Sequence, residues 1–174
     1  MIPLHVHSNY SLLQGVITIE DIIDKAISYN LSAAALTDTN AMYGLIAFYK
    51  KAKEKGIKPI IGAYIDEPNN KNIYAVFIAK NFDGYSDICR IITARKLKDN
   101  FSLFEILQSN FLNLFILTPS IELLQKIPAY KNIYAELIIT KANKLIARKL
   151  FEAAKEKKIK YIISNPVYFS EPDD

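Results

Sequence analysis

Apolar runs of strand length recur along the chain and alternate with amphipathic segments of helical period, and this alternation limits the possible folds more than any other feature. The runs are IPLHV (2–6), LSAAALT (31–37), KPIIGAYI (58–65), IYAVFIA (73–79), LFILT (114–118), IYAELII (133–139) and KYIIS (160–164). Most are apolar at consecutive positions, the pattern of strands covered on both faces of a parallel sheet. Between them, Thr18 with Asp21 three residues on reads as a capping box ahead of Ile19, Ile22, Ile23, Ala26 and Ile27. Asn40 is placed to cap a second helix that presents Leu45, Ile46, Tyr49 and Ala52 and stops at Gly56. Ser102 with Glu105, and Thr140 ahead of Leu145, Ile146 and Leu150, open two more, and helices are also expected near 85–95 and 120–126.

Strands alternating with helices, with no Gly/Ser linker between them, indicate a single α/β unit over residues 1–174 in right-handed βαβ connections. Seven such steps point to a barrel, although an open doubly wound sheet satisfies the same pattern. The step from 65 to 73 is too short for a crossover helix. DEPNNKN reads there as a turn, so the third and fourth strands are an antiparallel pair or an elided unit. With 174 residues, 51% of them apolar, the chain is large enough to bury one core. One cysteine, Cys89, excludes an internal disulfide framework and fits a reducing, cytoplasmic compartment. The N-terminus has no basic segment followed by an apolar run, and no stretch approaches about 18 uninterrupted apolar residues, so neither a signal peptide nor a membrane helix is expected. A net charge of +4 is compatible with nucleic acid but does not argue for it.

In α/β folds of either kind, functional groups gather where the chain leaves the C-terminal ends of the strands. His5 and His7, the only histidines, close the first run, and Asp38 and Thr39 follow the second. Imidazoles at i and i+2 on an extended segment point the same way and can reach one metal ion or two adjacent ones. A metal site needs three or four protein ligands, and the remaining acids on this rim are Asp38, Asp66 and Glu67, with Glu136 within the sixth run. A structural reading competes at each position. Neutral imidazoles can simply hydrogen-bond in a polar barrel mouth. Asp38 can serve as a helix N-terminal acid. Lys50, Lys51, Lys53, Lys55 and Lys58 form either a phosphate-binding strip or, interrupted by Glu54, the solvated face of the second helix. Tyr10, Tyr43, Tyr85 and Cys89 read as core or rim residues.

LHVHSNYSLLQG, ALTDTNAMYGLIAFYKKAKEKGIKPIIGA and the closing YIISNPVYFSEPDD together resemble the PHP (polymerase and histidinol phosphatase) domain at the N-terminus of bacterial replicative DNA polymerase III alpha subunits. The resemblance implies a distorted (βα)7 barrel. In intact members it implies a cluster of metal ions that hydrolyses phosphate esters. His5 and His7 match the opening histidine pair and Asp38 the aspartate after the second strand. Departures follow: Gln14 stands where an acid is usual, Thr39 for a histidine, Tyr64 for a glutamate and Ser120 for a cysteine, and the closing Asn-Asp-Val-His reads NPVY, with Pro166 and Tyr168. Uncharged Gln, Thr, Tyr and Ser do not restore the ligands or the negative charge that offsets the cations.

The resulting expectation is a PHP domain with vestigial metal residues His5, His7 and Asp38, no catalytic residue of its own and no resident cofactor. It would serve as a structural and protein-interaction element of a longer DNA-directed DNA polymerase, with SEPDD continuing into the rest of that chain. The expected partners are that chain, other replisome subunits, and DNA through the parent polymerase, with no membrane. The alternative is a metal-dependent phosphoesterase or 3'-5' exonuclease with Zn, Mn or Fe at a reduced site of His5, His7, Asp38 and Asp66 or Glu67. A third reading is a nucleic-acid module acting through the second helix.

Overall fold

The computed structural model describes residues 1–128 and 132–168. The closing SEPDD, read above as leading into more chain, lies outside the described residues. Among them, six strands form one sheet in chain order: β1 (Ala33–Leu36), β2 (Lys58–Glu67), β3 (Asn70–Ala79), β4 (Leu114–Thr118), β5 (Ile133–Ile138) and β6 (Lys160–Ser164). β1 pairs with β2 in parallel, as does β4 with β5 and β5 with β6. β3 runs antiparallel to both its neighbours. The short step therefore resolves as the antiparallel hairpin: seven residues between two apolar runs leave room for a turn and none for a helix. DEPNNKN is mostly strand, with only Pro68 and Asn69 in the turn.

The first apolar run does not become a strand. Residues 2–6 supply a single bridge, Val6 to Val167, beyond the end of β6. His7 N–H donates to the Val167 carbonyl and Val167 N–H to that of His5, both at 2.9 Å, while Thr37 N–H donates to the Val6 carbonyl at 2.8 Å. The sheet is thus a curled half-barrel of six strands, not the seven counted from the runs. Pro3 has no N–H to give to a ladder, which weakens pairing at the start of this run.

Helices α1 (Ile19–Ser28), α2 (Leu45–Glu54), α3 (Phe82–Leu97), α4 (Leu103–Ile106), α5 (Ile121–Lys126) and α6 (Lys144–Glu156) cover the outer side. α1 opens on the expected capping box: Asp21 N–H donates to Thr18 Oγ1 and Thr18 N–H to Asp21 Oδ2, each at 3.1 Å. The expected Asn40 cap is not formed. α2 begins after Gly44 with no side-chain cap, and Asn40, at φ +50°, is tied to Asp66. Thr140 likewise stands outside α6, accepting from Asn143 N–H at 3.1 Å. Asn81 and Ser120 cap α3 and α5. The lysines of α2 are exposed except Lys51, which is half-buried and pairs with Glu20 at 2.9 Å.

Alternation along the strands separates two environments. Outward residues such as Ala63, Ile65, Phe77, Leu114, Ile116, Ile133 and Ala135 join Ile88, Leu103, Leu123 and Leu150 of the helices in the main core. Inward residues Tyr64, Val76, Ile78 and Leu117 form a smaller cluster against Leu4, Ile60, Tyr74, Tyr134 and Ile162. Gly62 allows the tightest approach in β2: a Cβ there would lie 2.5 Å from the Phe77 carbonyl oxygen and 2.8 Å from Thr37 Cγ2. No helix among the described residues is long and apolar enough to cross a membrane.

Candidate functional site

The polar residues of the inner face gather at the strands' C-terminal mouth, around the histidine pair. Extended backbone at residues 5–7 puts both imidazoles on one side, with His5 Nε2 and His7 Nε2 3.0 Å apart and both side chains fully buried. His5 Nδ1 lies 3.0 Å from Glu136 Oε1, which the register of β5 turns inward beside Ile162 of β6. His7 Nδ1 lies 3.2 Å from both Ser11 Oγ and Thr39 Oγ1.

The hydroxyls fix the protons. Ser11 Oγ donates to Asp38 Oδ1 at 2.7 Å, and Thr39 Oγ1 donates to Gln14 Oε1 at 2.5 Å. Each hydroxyl carries one proton, so His7 Nδ1 must donate to their lone pairs. Neutral His7 then accepts at Nε2, and His5 Nε2–H is the donor between the rings. One further proton must sit between His5 Nδ1 and Glu136 to complete that bond. Burial first, and then the neighbouring His5, push the His7 pKa down to about 3, in keeping with the neutral ring assigned here.

Asp38 is brought near the pair, but as an acceptor for other groups. It takes Ser8 N–H at 2.7 Å, Ser8 Oγ at 3.0 and 2.9 Å, and Ser11 Oγ. It touches His7 only through Ser11, and with α2 starting at Leu45 it is not a helix N-terminal acid. Asp66 is placed elsewhere: Arg95 of α3 grips it through Nη2 at 2.6 Å and Nε at 3.1 Å, and Asn40 Nδ2 adds a bond at 3.0 Å. Glu67 accepts from Leu103 N–H at 2.7 Å and so holds the start of α4. Ser120 is spent on capping α5, and Cys89 lies on α3.

Tyrosines close the remaining sides. Tyr168 stacks on His7 with centroids 4.4 Å apart and planes 10° from parallel. Tyr64 stands 5.5 Å from the His5 ring and 5.3 Å from that of His7, with Tyr74 beyond it at 4.4 Å. Burial is the main cause raising all three phenol pKa values, and the negative Glu136 adds to it, so these groups stay neutral. Glu136 Oε2 and Ser164 Oγ are buried with no hydrogen-bond partner among the described residues.

These residues do not fit a metal shell as they stand. The two Nε2 atoms bond each other, Glu136 sits on the far nitrogen of His5, and Asp38, Asp66 and Glu67 have other partners. Among the described residues no group of three or more His, Cys, Asp or Glu is arranged to hold an ion. Sequence reasoning missed Ser8 and Ser11. The one available signal was two short hydroxyls flanking the turn after the histidines, in HSNYS, opposite a lone aspartate.

The chain is similar to known proteins in sequence and in fold. Over 109 residues the chain is 42% identical to the DNA polymerase III subunit alpha of Borreliella burgdorferi, and over 165 residues, 92% of its length, 34% identical to that of Ureaplasma parvum. The matched stretches cover only 10% and 16% of those relatives. Two solved structures share the fold. One, from Bifidobacterium adolescentis and described as a metal-dependent phosphoesterase, has a TM-score of 0.65 at 11% identity, covering 98% of this chain and 89% of its own. The other, a two-domain protein from Bacteroides vulgatus with a PHP-like metal-dependent phosphoesterase part, has a TM-score of 0.57 at 12% identity, covering 96% and 51%. The model of the PHP domain matches residues 3–129, well over half of the sequence, and the chain belongs to the PHP domain family.

Proposed function

We propose that this chain is the N-terminal PHP domain of a DNA polymerase III alpha subunit, acting in the cytoplasm as a metal-free structural and protein-contact element of DNA replication. The observation that carries the metal-free part is that three of the replaced positions, Gln14, Thr39 and Tyr168, bond or stack on one another or on His7. Gln14 accepts from Thr39, Thr39 meets His7, and Tyr168 stacks on His7. A buried polar group left without a partner costs about 1–3 kcal/mol; His7 and Asp38 both have partners, whereas Glu136 Oε2 and Ser164 Oγ have none among the described residues. The polymerase context is supported by the relatives' identity over most of the chain and by the small share of their length that is matched. On this reading residues 5–7 take the seventh position of the distorted (βα)7 plan, and the partners are the rest of the polymerase, other replisome subunits and, through the parent chain, DNA.

Metal analysis of the purified full chain provides the test, with thermal unfolding in EDTA and in added Zn, Mn or Fe. Less than stoichiometric metal, and a Tm that neither EDTA nor added metal shifts, are expected. Stoichiometric metal that His5→Ala abolishes, or manganese-dependent nucleotide release from single-stranded DNA that His7→Ala abolishes, would establish the reduced hydrolytic site instead.

A further inference from the structure

The inner face of the sheet has a second opening, at the end opposite the histidines. β3 runs against its neighbours, so its last residues come to the end where β2 and β4 begin, as do the parallel partners of β4. There a hollow of about 630 Å³ lies among Leu4, Ile60, Ile78, Phe115, Tyr134 and Ile162. Closed α/β barrels fill this space with layers of side chains, whereas here Phe115 stays 40% exposed. Three of the apolar rows on this face end in a lysine. Lys58 stands two residues before Ile60 in β2, Lys160 two before Ile162 in β6 and opposite Tyr134, and Lys80 two after Ile78. Residues two apart share a face of a strand, so the three lysines ring the opening. Lys80 is fixed at its lip: Nζ lies 4.5 Å from the Phe115 ring centre and donates to the Leu112 carbonyl at 2.8 Å. Among the described residues no acid lines the hollow, and none pairs with these lysines.

We propose that this hollow binds a single-chain anionic amphiphile, its chain against Ile60, Phe115 and Ile162 and its head group among Lys58, Lys80 and Lys160. A mostly apolar cavity of this size with a few polar groups at its edge is the usual form of a small-molecule site. Charge selects the head. Cations gathered at one rim repel one another, and an anion seated between them turns that repulsion into attraction. Ammonium groups on flexible stems act as point charges, so the rim recognises the sign of a head group more than its shape. The walls select the body, since each methylene buried against them raises affinity about four-fold. The site shares no residue with the histidine cluster, and it stands whether or not the chain belongs to a polymerase.

The test is titration calorimetry of the full natural chain with dodecanoate below its micelle concentration. Saturable one-to-one binding is expected, about ten-fold weaker for decanoate and undetectable for butanoate or for the dodecyltrimethylammonium cation. Lys58→Glu and Lys160→Glu should each weaken dodecanoate binding about five-fold, and Lys53→Glu on the exposed side of α2 should leave it unchanged. Ile60→Trp, which fills the hollow, should abolish binding. The two exposed lysines keep the test decisive if the tryptophan variant fails to fold. No saturable binding, an equal affinity for decanoate or for the dodecyl cation, or a Kd that neither lysine variant moves would overturn the proposal. A dimer in sedimentation that Lys58→Glu and Lys160→Glu dissociate would assign the hollow to a second copy of the chain and overturn it as well.

Discussion

The two faces of the same strands are held together by different physics. On the outer face Ala63, Ile65, Phe77, Leu114 and Ala135 meet helices through apolar contacts that many neighbours share. On the inner face Glu136 and the two histidines meet through directional hydrogen bonds, Glu136 to His5 and His5 to His7, each at 3.0 Å. Apolar packing is non-directional and tolerates substitutions that conserve volume, whereas a buried polar group deprived of its partner bears its full desolvation cost. The inner face is therefore the less forgiving of the two, although its apolar cluster is the smaller.

The largest expected effect follows from His5. His5→Ala removes the one hydrogen-bond partner that Glu136 has among the described residues, where its other oxygen has none, and it should cost about 3–5 kcal/mol in urea unfolding. Adding Glu136→Leu should recover most of that loss, because the uncompensated polar group is gone. A loss under about 1 kcal/mol in the single variant would mean that the inner face is no more fragile than the outer. On the outer face Leu114→Ala should cost about 3 kcal/mol through the cavity it leaves, but Leu114→Met less than about 1.5. No comparably mild replacement is expected for His5.

Arg95 sharpens the contrast, because it ties a helix of the outer layer to an acid near the mouth. Its side chain is 19% exposed and that of Asp66 3%. Arg95→Met should cost about 2 kcal/mol, less than His5→Ala, since Asp66 keeps the Asn40 amide and a nearby route to water. Asp66→Asn in the same background should restore part of the loss, and midpoints at an unchanged denaturant slope would read both.

The legible and illegible parts of this molecule divide along the same line. The runs at 114–118 and 160–164 became strands with those bounds, and the Thr18/Asp21 box formed as read, because both are local patterns of period or spacing. The orientation of the histidines was legible too, since i and i+2 share a face of extended chain. The partners were not. Glu136 reaches His5 across 131 positions, through the register of β5 and the curl of the sheet, and neither leaves a trace in composition. Asn40 misled for a related reason. Cap and left-handed turn use the same short amide side chain, and the choice was made by Asp66, 26 residues away.

Acidification separates the two faces by their chemistry, with the smallest effect per step. His7 has its pKa held near 3 by burial and by His5, whereas in the unfolded chain it titrates near 6.5. Between those values the unfolded state binds a proton that the folded state refuses, so stability falls as pH falls. The slope is about 1.4 kcal/mol per pH unit below about 6.5, with no contribution from this ring above it. Urea unfolding at pH 7.5, 6.5 and 5.5 should show that slope in the wild type and in Leu114→Met alike, because the outer face carries nothing that titrates there. His7→Phe keeps a ring against Tyr168 and removes the titrating group, so its stability should fall less over the last unit. Wild-type stability that instead rises relative to His7→Phe between pH 6.5 and 5.5 would place the extra proton on folded His7. It would also reverse the donor and acceptor roles assigned along Ser11, His7 and His5.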